Sequence, residues 1–376
     1  MTTAIQVQYR RGTQAQIAAF TGAAGEMNVD STNNRVIVQD GATVGGWPAA
    51  KLSEIGGGHL NKFRNGTMDL WQRGTSALAA TTSGAYTADG WIVLPTGASV
   101  TAAQAGGRLT TKNSLQVTGA SSVTDLIIKQ RIESLIAAAF CSQTVTVQAQ
   151  VYNNTGITIT PKLTVNRPSA QDNYSSVTAD VNAVSLQACA NAVWSLVSYT
   201  FQANSLSYNG LEIAFDFGNN FGANTKSLQI TECDIRVTNG VPAGLCANPP
   251  PPELRMIATE IGFNQRYYQN SFNGAAPAQG IGANMGELQW AAANTAGNIT
   301  RGYIHFPVPM RASPAVTVYN PVSSNSQAYD LVTATDCSGT GTNNVNATGF
   351  RVAANLPTGA ASADVIGANW TASAEL

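Results

Sequence analysis

The chain has 376 residues, 11% of them charged, and a formal net charge of −1. That length suits two or three domains, and against the roughly 25% charge of an ordinary soluble domain the surface must be built from Thr, Ser, Asn, Gln, Ala and Gly. Nucleic-acid binding by counterion release and adhesion to an anionic membrane are both disfavoured, and two separated histidines, His59 and His305, leave little for a hydrolytic triad or a His-rich zinc site.

MTTAIQVQYRR has charge but no apolar core after it, so no signal peptide is expected. The longest apolar run, Leu135–Phe140, is far short of the ~20 residues that span a bilayer, so no membrane insertion is expected. The five cysteines are odd in number and lack Cys-x-x-Cys. They read as buried thiols of a protein made in a reducing cytoplasm, with a Cys233–Cys246 bridge as the open alternative.

In chain order, YRRGTQAQIAAF raises two readings of Arg10 and Arg11: a phosphate cradle, or contacts within an assembly module. A phosphate loop would want more glycines and a long following helix, which favours the second. Gly12 ends the strand-like IQVQY, and Thr13 with Gln16 forms a capping box ahead of a short helix, Gln14 to Phe20. Two short strands should follow around Asn33 and Asn34, closed by Asp40-Gly41. So few apolar positions make little core, and the unit should stabilise itself by trimerising or by docking on a larger structure. The ordered set R-R-G-T-x-x-Q, G-E, N-R-x-x-x-x-D-G-x-T and a Trp, over Ile5 to Leu52, resembles the N-terminal module of bacteriophage tail-fibre and tropism-determinant proteins. Gly56–Leu60 reads as a flexible joint, with His59 a solvated linker residue.

From Asn61 to Leu245 the chain reads as strands. Val145, Val147, Ala149 and Val151 alternate with Thr and Gln, as do Leu211, Ile213, Phe215 and Phe217 with their neighbours. Such alternation marks an antiparallel sandwich. The apolar phase slips in LQITECDIRV, which predicts a bulge near Glu232–Asp234. The phrases NKFRNGTMDLWQRG, YTADGW, QRIE and ITECDI resemble the jelly-roll, carbohydrate-binding-module-like domains of phage fibres and glycan-active enzymes. That resemblance implies no cofactor beyond a structural calcium, for which the matching positions are Asp69 and Asp234. Trp71 and Trp91 read as core before sugar platforms.

Pro249–Pro252 is a stiff spacer. Leu254, Ile257, Ile261 and Tyr268 then recur at helical spacing, an apolar stripe suited to a threefold axis. NQRYY, Asn264–Tyr268, resembles a phrase of phage tail fibres that precedes a distal domain. The last segment is strand again, with Tyr303 and His305 opposite Ile304, Phe306 and Val308. FPVPMRASPAVTV resembles the first sheet of distal tail-fibre domains, some of them lectin-like.

These readings give a mainly β chain: a virion-attachment module over 1–55, a jelly roll over 60–245, a proline spacer and trimerising helix over 249–273, and a distal β-sandwich over 274–376. Taken with the resemblances, they imply a non-enzymatic homotrimeric fibre of a phage particle, made in the bacterial cytoplasm. It would contact other virion proteins through the N-terminal module and a bacterial envelope glycan through its distal domain. Candidate glycan-stacking aromatics are Trp290, Tyr303, Tyr319 and Trp370. Trp370 reads as core or trimer interface before ligand platform, and Trp290 sits beside a loop. The alternatives are a head or baseplate decoration fibre without a receptor role, and a fibre-borne polysaccharide-degrading enzyme. The second would need two carboxylates at a set separation, and the acids look scattered.

Overall fold

The structure is a computed structural model that describes residues 9–49, 59–272, 274–280, 288–292, 297–300 and 302–376. Most of the expected strand before Tyr9 and the glycines of the joint at 56–58 lie outside the described residues.

The N-terminal module is a four-stranded sheet, Arg10–Gly12, Met27–Asp30, Arg35–Val38 and Trp47–Pro48. Its helix, Gln14–Ala18, starts with the complete Thr13/Gln16 capping box and is shorter than the sequence suggests. Asn34 turns the central hairpin at φ 51°. Arg10 pairs with Glu26 at 3.4 Å and lies over the Phe20 ring. The Asp40 carboxylate accepts from Ala42 N, Thr43 N, Thr43 Oγ1 and Trp47 Nε1. Those donors hold it well below the usual carboxylate range and pin Trp47 to the turn. Its small core holds Ile17 and Ile37 beside polar side chains. Asn28, Asp30 and Gln39 are buried, whereas Met27, Val36, Val38 and Trp47 are exposed, Trp47 at 61%. Register places Met27, Val38 and Trp47 side by side, next to Val29 and Val36, so the exposed face is continuous and apolar.

Residues 61–245 form two antiparallel sheets around one core. One sheet runs in the order Asn173–Ser185, Lys162–Ala170, Leu211–Asp216, Asp125–Ile132, Ile92–Thr96, Ala85–Tyr86. The other is built on Thr144–Asn154, between Trp194–Gln202 and Ser227–Val237. Val145, Val147, Ala149, Val151, Leu211, Ile213 and Phe215 are fully buried in the shared core, as the alternation predicts. The slip in LQITECDIRV is a bulge at Glu232–Cys233, where pairing shifts between Gln148 and Gln150 and Glu232 takes φ 51°. Trp71 and Trp91 are core, their indole N–H groups bonded to Met68 O and Asn65 O. Gly66 lies so close to the bulge that a Cβ there would stand 2.3 Å from Cys233 O. The five cysteines are free thiols.

The helix after the proline spacer is Ile257–Gln265, with Tyr268 already in a strand, Tyr268–Asn270, of the distal sheet. The distal sheet therefore starts ahead of 274. Its organising strand is Val365–Ser373, which pairs with Tyr268–Asn270, Leu288–Ala291, Ala315–Tyr319 and Tyr329–Asp330. A second sheet around Gly349–Asn355 packs on it through Phe306, Phe350 and Trp370.

Candidate functional site

Of the four candidate aromatics, two are unavailable to a ligand. Trp370, 7% exposed, is clasped by Phe306 and Phe350 with ring centroids at 5.8 and 5.2 Å. Trp290, 8% exposed, lies in the strand paired at Ile366 and packs in the same core. A stacking platform needs a free ring face, so burial removes both indoles from that role. Tyr319 is half-buried and meets Phe272 edge-on at 5.1 Å. Tyr303 is different. It is half-exposed, and its hydroxyl donates to Asn346 Oδ1 at 2.8 Å and lies 3.2 Å from Thr348 Oγ1. Its ring packs edge-on against exposed His305 at 4.8 Å. The strand Ser338–Asn346 beside it is mostly exposed and made of Ser, Gly, Thr, Asn and a single Val. Asn346, Thr348 and His305 complete a polar patch that the sequence does not assemble, because the hairpin register that joins them is not encoded in any short motif.

The two calcium candidates have different partners. Asp69 accepts from Asn113 Nδ2 at 2.7 Å. Asp234 is paired with the Arg236 guanidinium and accepts from Glu253 N at 2.8 Å, so a cation there would have to displace an arginine. The arrangement does not fit a calcium at Asp234. Among the described residues no group of three or more His, Cys, Asp and Glu is placed to hold a metal.

The outward face of the six-stranded sheet carries Asp125, Ile127, Lys129 and Arg131 along one strand. Lys129 and Arg131 both reach Glu212, at 2.9 and 2.8 Å. Burial would raise the Glu212 carboxyl, but those two cations and Asn166 hold it below its usual value. A cavity of about 160 Å³ is lined by Tyr86, Ile92, Leu94, Lys129 and Arg131. At the far end of the face, a cavity of about 390 Å³ is lined by Asp125, Lys162, Asp216, Asn219 and Asn220. Acids that look scattered in the sequence thus meet here, because adjacent strands bring Asp125 and Asp216 together.

The sequence phrases converge elsewhere, at the junction between the jelly roll and the distal domain. Glu375 stands between Arg64, at 3.4 Å, and Arg73, at 3.2 Å. Arg64 lies over the Tyr267 ring at 3.4 Å and Arg73 over the Tyr268 ring at 3.6 Å. Gln72 donates to Asp89 and to Tyr268 O, and Gln130 exchanges two hydrogen bonds with the Arg64 backbone. Burial raises the Asp89 carboxyl, against the pull of Arg73, and pushes the Tyr268 hydroxyl up to about 12. Arg266 meets Glu133 at 3.1 Å. The helix contributes its polar side: Glu260 accepts from Asn65 N at 2.8 Å and from Arg255. NKFRNGTMDLWQRG, YTADGW, QRIE and NQRYY are therefore parts of one interdomain joint.

Comparison with known proteins places the N-terminal module. Residues 7–43 match the model of the major tropism determinant N-terminal domain. A 51-residue stretch is 59% identical to the tail fiber receptor-binding protein of Bordetella phage BPP-1, covering 14% of this chain and 13% of that protein. The chain opens with a module similar to the tropism-determinant N-terminal domain. The match spans about an eighth of that tail fibre's length. Among solved structures, the enzymatically active domain of bacteriophage CBA120 tailspike protein 4 aligns over 48% of this chain and 22% of its own, at 11% identity and TM-score 0.34. The CBM22-1 xylan-binding domain of Paenibacillus barcinonensis Xyn10C aligns over 44% of this chain and 95% of its own, at 17% identity and TM-score 0.28. Among the described residues no helix is long and apolar enough to cross a membrane.

Proposed function

We propose that this chain is a non-enzymatic fibre protein of a phage or phage-like particle, made in the host cytoplasm and assembled as a parallel homotrimer. Its N-terminal module attaches to other virion proteins, and its distal domain binds a saccharide of the bacterial envelope. The observation that carries the reading is the 59% identity of the N-terminal stretch to a phage receptor-binding tail fibre. Two largely apolar faces support self-assembly: the Met27, Val36, Val38 and Trp47 sheet face, and the exposed side of the helix region at Leu254, Met256, Ile257 and Ile261.

The patch around Tyr303, His305, Asn346 and Thr348 is the favoured receptor contact. Neutral amides and hydroxyls pair with sugar hydroxyls at a lower desolvation cost than charges, and the Tyr303 ring offers a partly open face. One such contact amounts to only a few kcal/mol, so single-site Kd should lie near ~1 mM and useful binding should depend on three copies. The jelly-roll sheet face is a second reading, favoured by its two cavities.

Host-cell binding by the full-length protein tests the proposal. Tyr303→Ala should weaken it at least several-fold, whereas Lys129→Ala should not. The opposite pattern moves the site to the jelly roll. Binding that survives loss of the whole distal domain rejects the distal assignment. Reducing-sugar release from host capsule would reject the non-enzymatic one.

A further inference from the structure

Asp125 and Asp216 lie on neighbouring antiparallel strands at the rim of the 390 Å³ cavity. Asp216 pairs with Ile127, so it shares the outward face with Asp125, and the two carboxyls are within hydrogen-bonding reach of each other. Two carboxyls in such a contact are held together by one proton and driven apart without it. Each also fixes backbone. Asp125 Oδ1 accepts from Leu126 N at 2.9 Å, and Asp216 Oδ1 accepts from Gly218 N at 2.8 Å. Phe217 N in turn donates to Leu126 O. The charged group facing the pair is Lys162, paired in register with Asp216 on the next strand. On the other side Asp125 is paired with uncharged Thr96, and the turn supplies neutral Asn219 and Asn220. Lys162 is exposed, and its charge lowers the Asp125 carboxyl by less than burial and Asp216 raise it.

We propose that the Asp125–Asp216 pair is a proton-dependent clasp. It closes this end of the sheet and the turn at 217–221 in acid and loosens them as pH rises through the raised Asp125 value, changing the charge of the cavity as it does so. Burial, and then the Asp216 charge, raise the Asp125 carboxyl above its ordinary value of 3.8. The folded chain therefore keeps a proton that the unfolded chain has lost. The resulting stabilisation is complete below the ordinary value and disappears as pH rises through the raised one.

Hydrogen exchange of the full-length protein, corrected for intrinsic rates, tests this at Gly218–Phe221. Wild-type protein should exchange more slowly at the acid end of a pH series, below the ordinary carboxyl value, than at pH 7.5. In Asp125→Asn and Asp216→Asn an amide replaces the shared proton, so each variant should stay slow at both ends. Lys162→Met, which keeps the pair and removes the facing cation, should move the wild-type transition to higher pH. A wild-type turn indifferent to pH overturns the proposal. So do Asn variants that retain the wild-type difference, or an unmoved transition in Lys162→Met.

Discussion

Glu375 is half of a buried charge arrangement: its two oxygens serve Arg64 and Arg73, and both guanidinium groups also cover tyrosine rings. Removing Glu375 takes the carboxylate from Arg64 and leaves Arg73 with Asp89, and breaking a buried pair costs roughly 3–5 kcal/mol. Glu375→Ala should therefore lower unfolding free energy by about 3 kcal/mol in urea titration, whereas Asp40→Ala, at an exposed turn, should affect only the N-terminal module. Gly66 gives a second prediction at this scale. Any side chain there must push against the Cys233 carbonyl, so Gly66→Ala should cost about 1–3 kcal/mol, the range of overpacking, read as a lower melting temperature. Residue roles were legible where the residue acts locally. Thr13, Asn34, Trp71 and Trp91 stand as the sequence implies. Trp370 meets its core reading as well, whereas Trp290, which reads as sitting beside a loop, is buried, because burial depends on which sheet closes over it.

The helix shows what periodicity can and cannot tell. An apolar stripe was legible, but the helix turns its other side to the protein. Glu260 and Asn264 are buried, while Ile257 and Ile261 are exposed and Met256, just ahead, is 78% exposed. The reason is chemical. Asn65 N and the Arg255 guanidinium need a buried acceptor, and Glu260 supplies it, so the polar side wins the contact. If the outward stripe packs against other copies, Met256→Ser with Ile257→Ser should shift the light-scattering mass toward monomer and leave the melting of the jelly roll unchanged. A stable wild-type monomer at micromolar concentration would sink the trimer altogether. The N-terminal sheet follows the same logic. Its apolar positions were countable in sequence, but strand register decides that they lie together on the outside.

At the scale of the whole molecule, mainly β architecture and the order of its units could be read from alternation, turn residues and the proline run. The joint between jelly roll and distal domain could not. Its members come from Arg64, Arg73, Asp89, Tyr267, Tyr268 and Glu375, and no window of sequence contains them together. The core of 61–245 draws on its own strands, so a chain beginning at Asn61 should still melt cooperatively and still bind cells, while losing incorporation into particles. Loss of cell binding in that shortened chain, with full-length protein binding well, would contradict the assignment of attachment to the first module.

The joint also has a mechanical meaning. The distal domain is tied to the jelly roll along two routes. One is the covalent path through Pro249–Pro252, whose carbonyls at Pro250 and Pro251 are gripped by Gln148 and Arg236. The other is the far end of its organising strand, where Tyr86 and Arg131 hold Leu376 O and the paired arginines hold Glu375. Tension applied at the distal surface would divide between the two and load the arginine contacts in shear rather than peeling a single tether. Torque would be resisted for the same reason, since two anchor points fix a direction where one leaves a swivel. The segment beyond the jelly roll should therefore behave as a rigid lever, passing displacement at its tip to the sandwich instead of absorbing it in the connector.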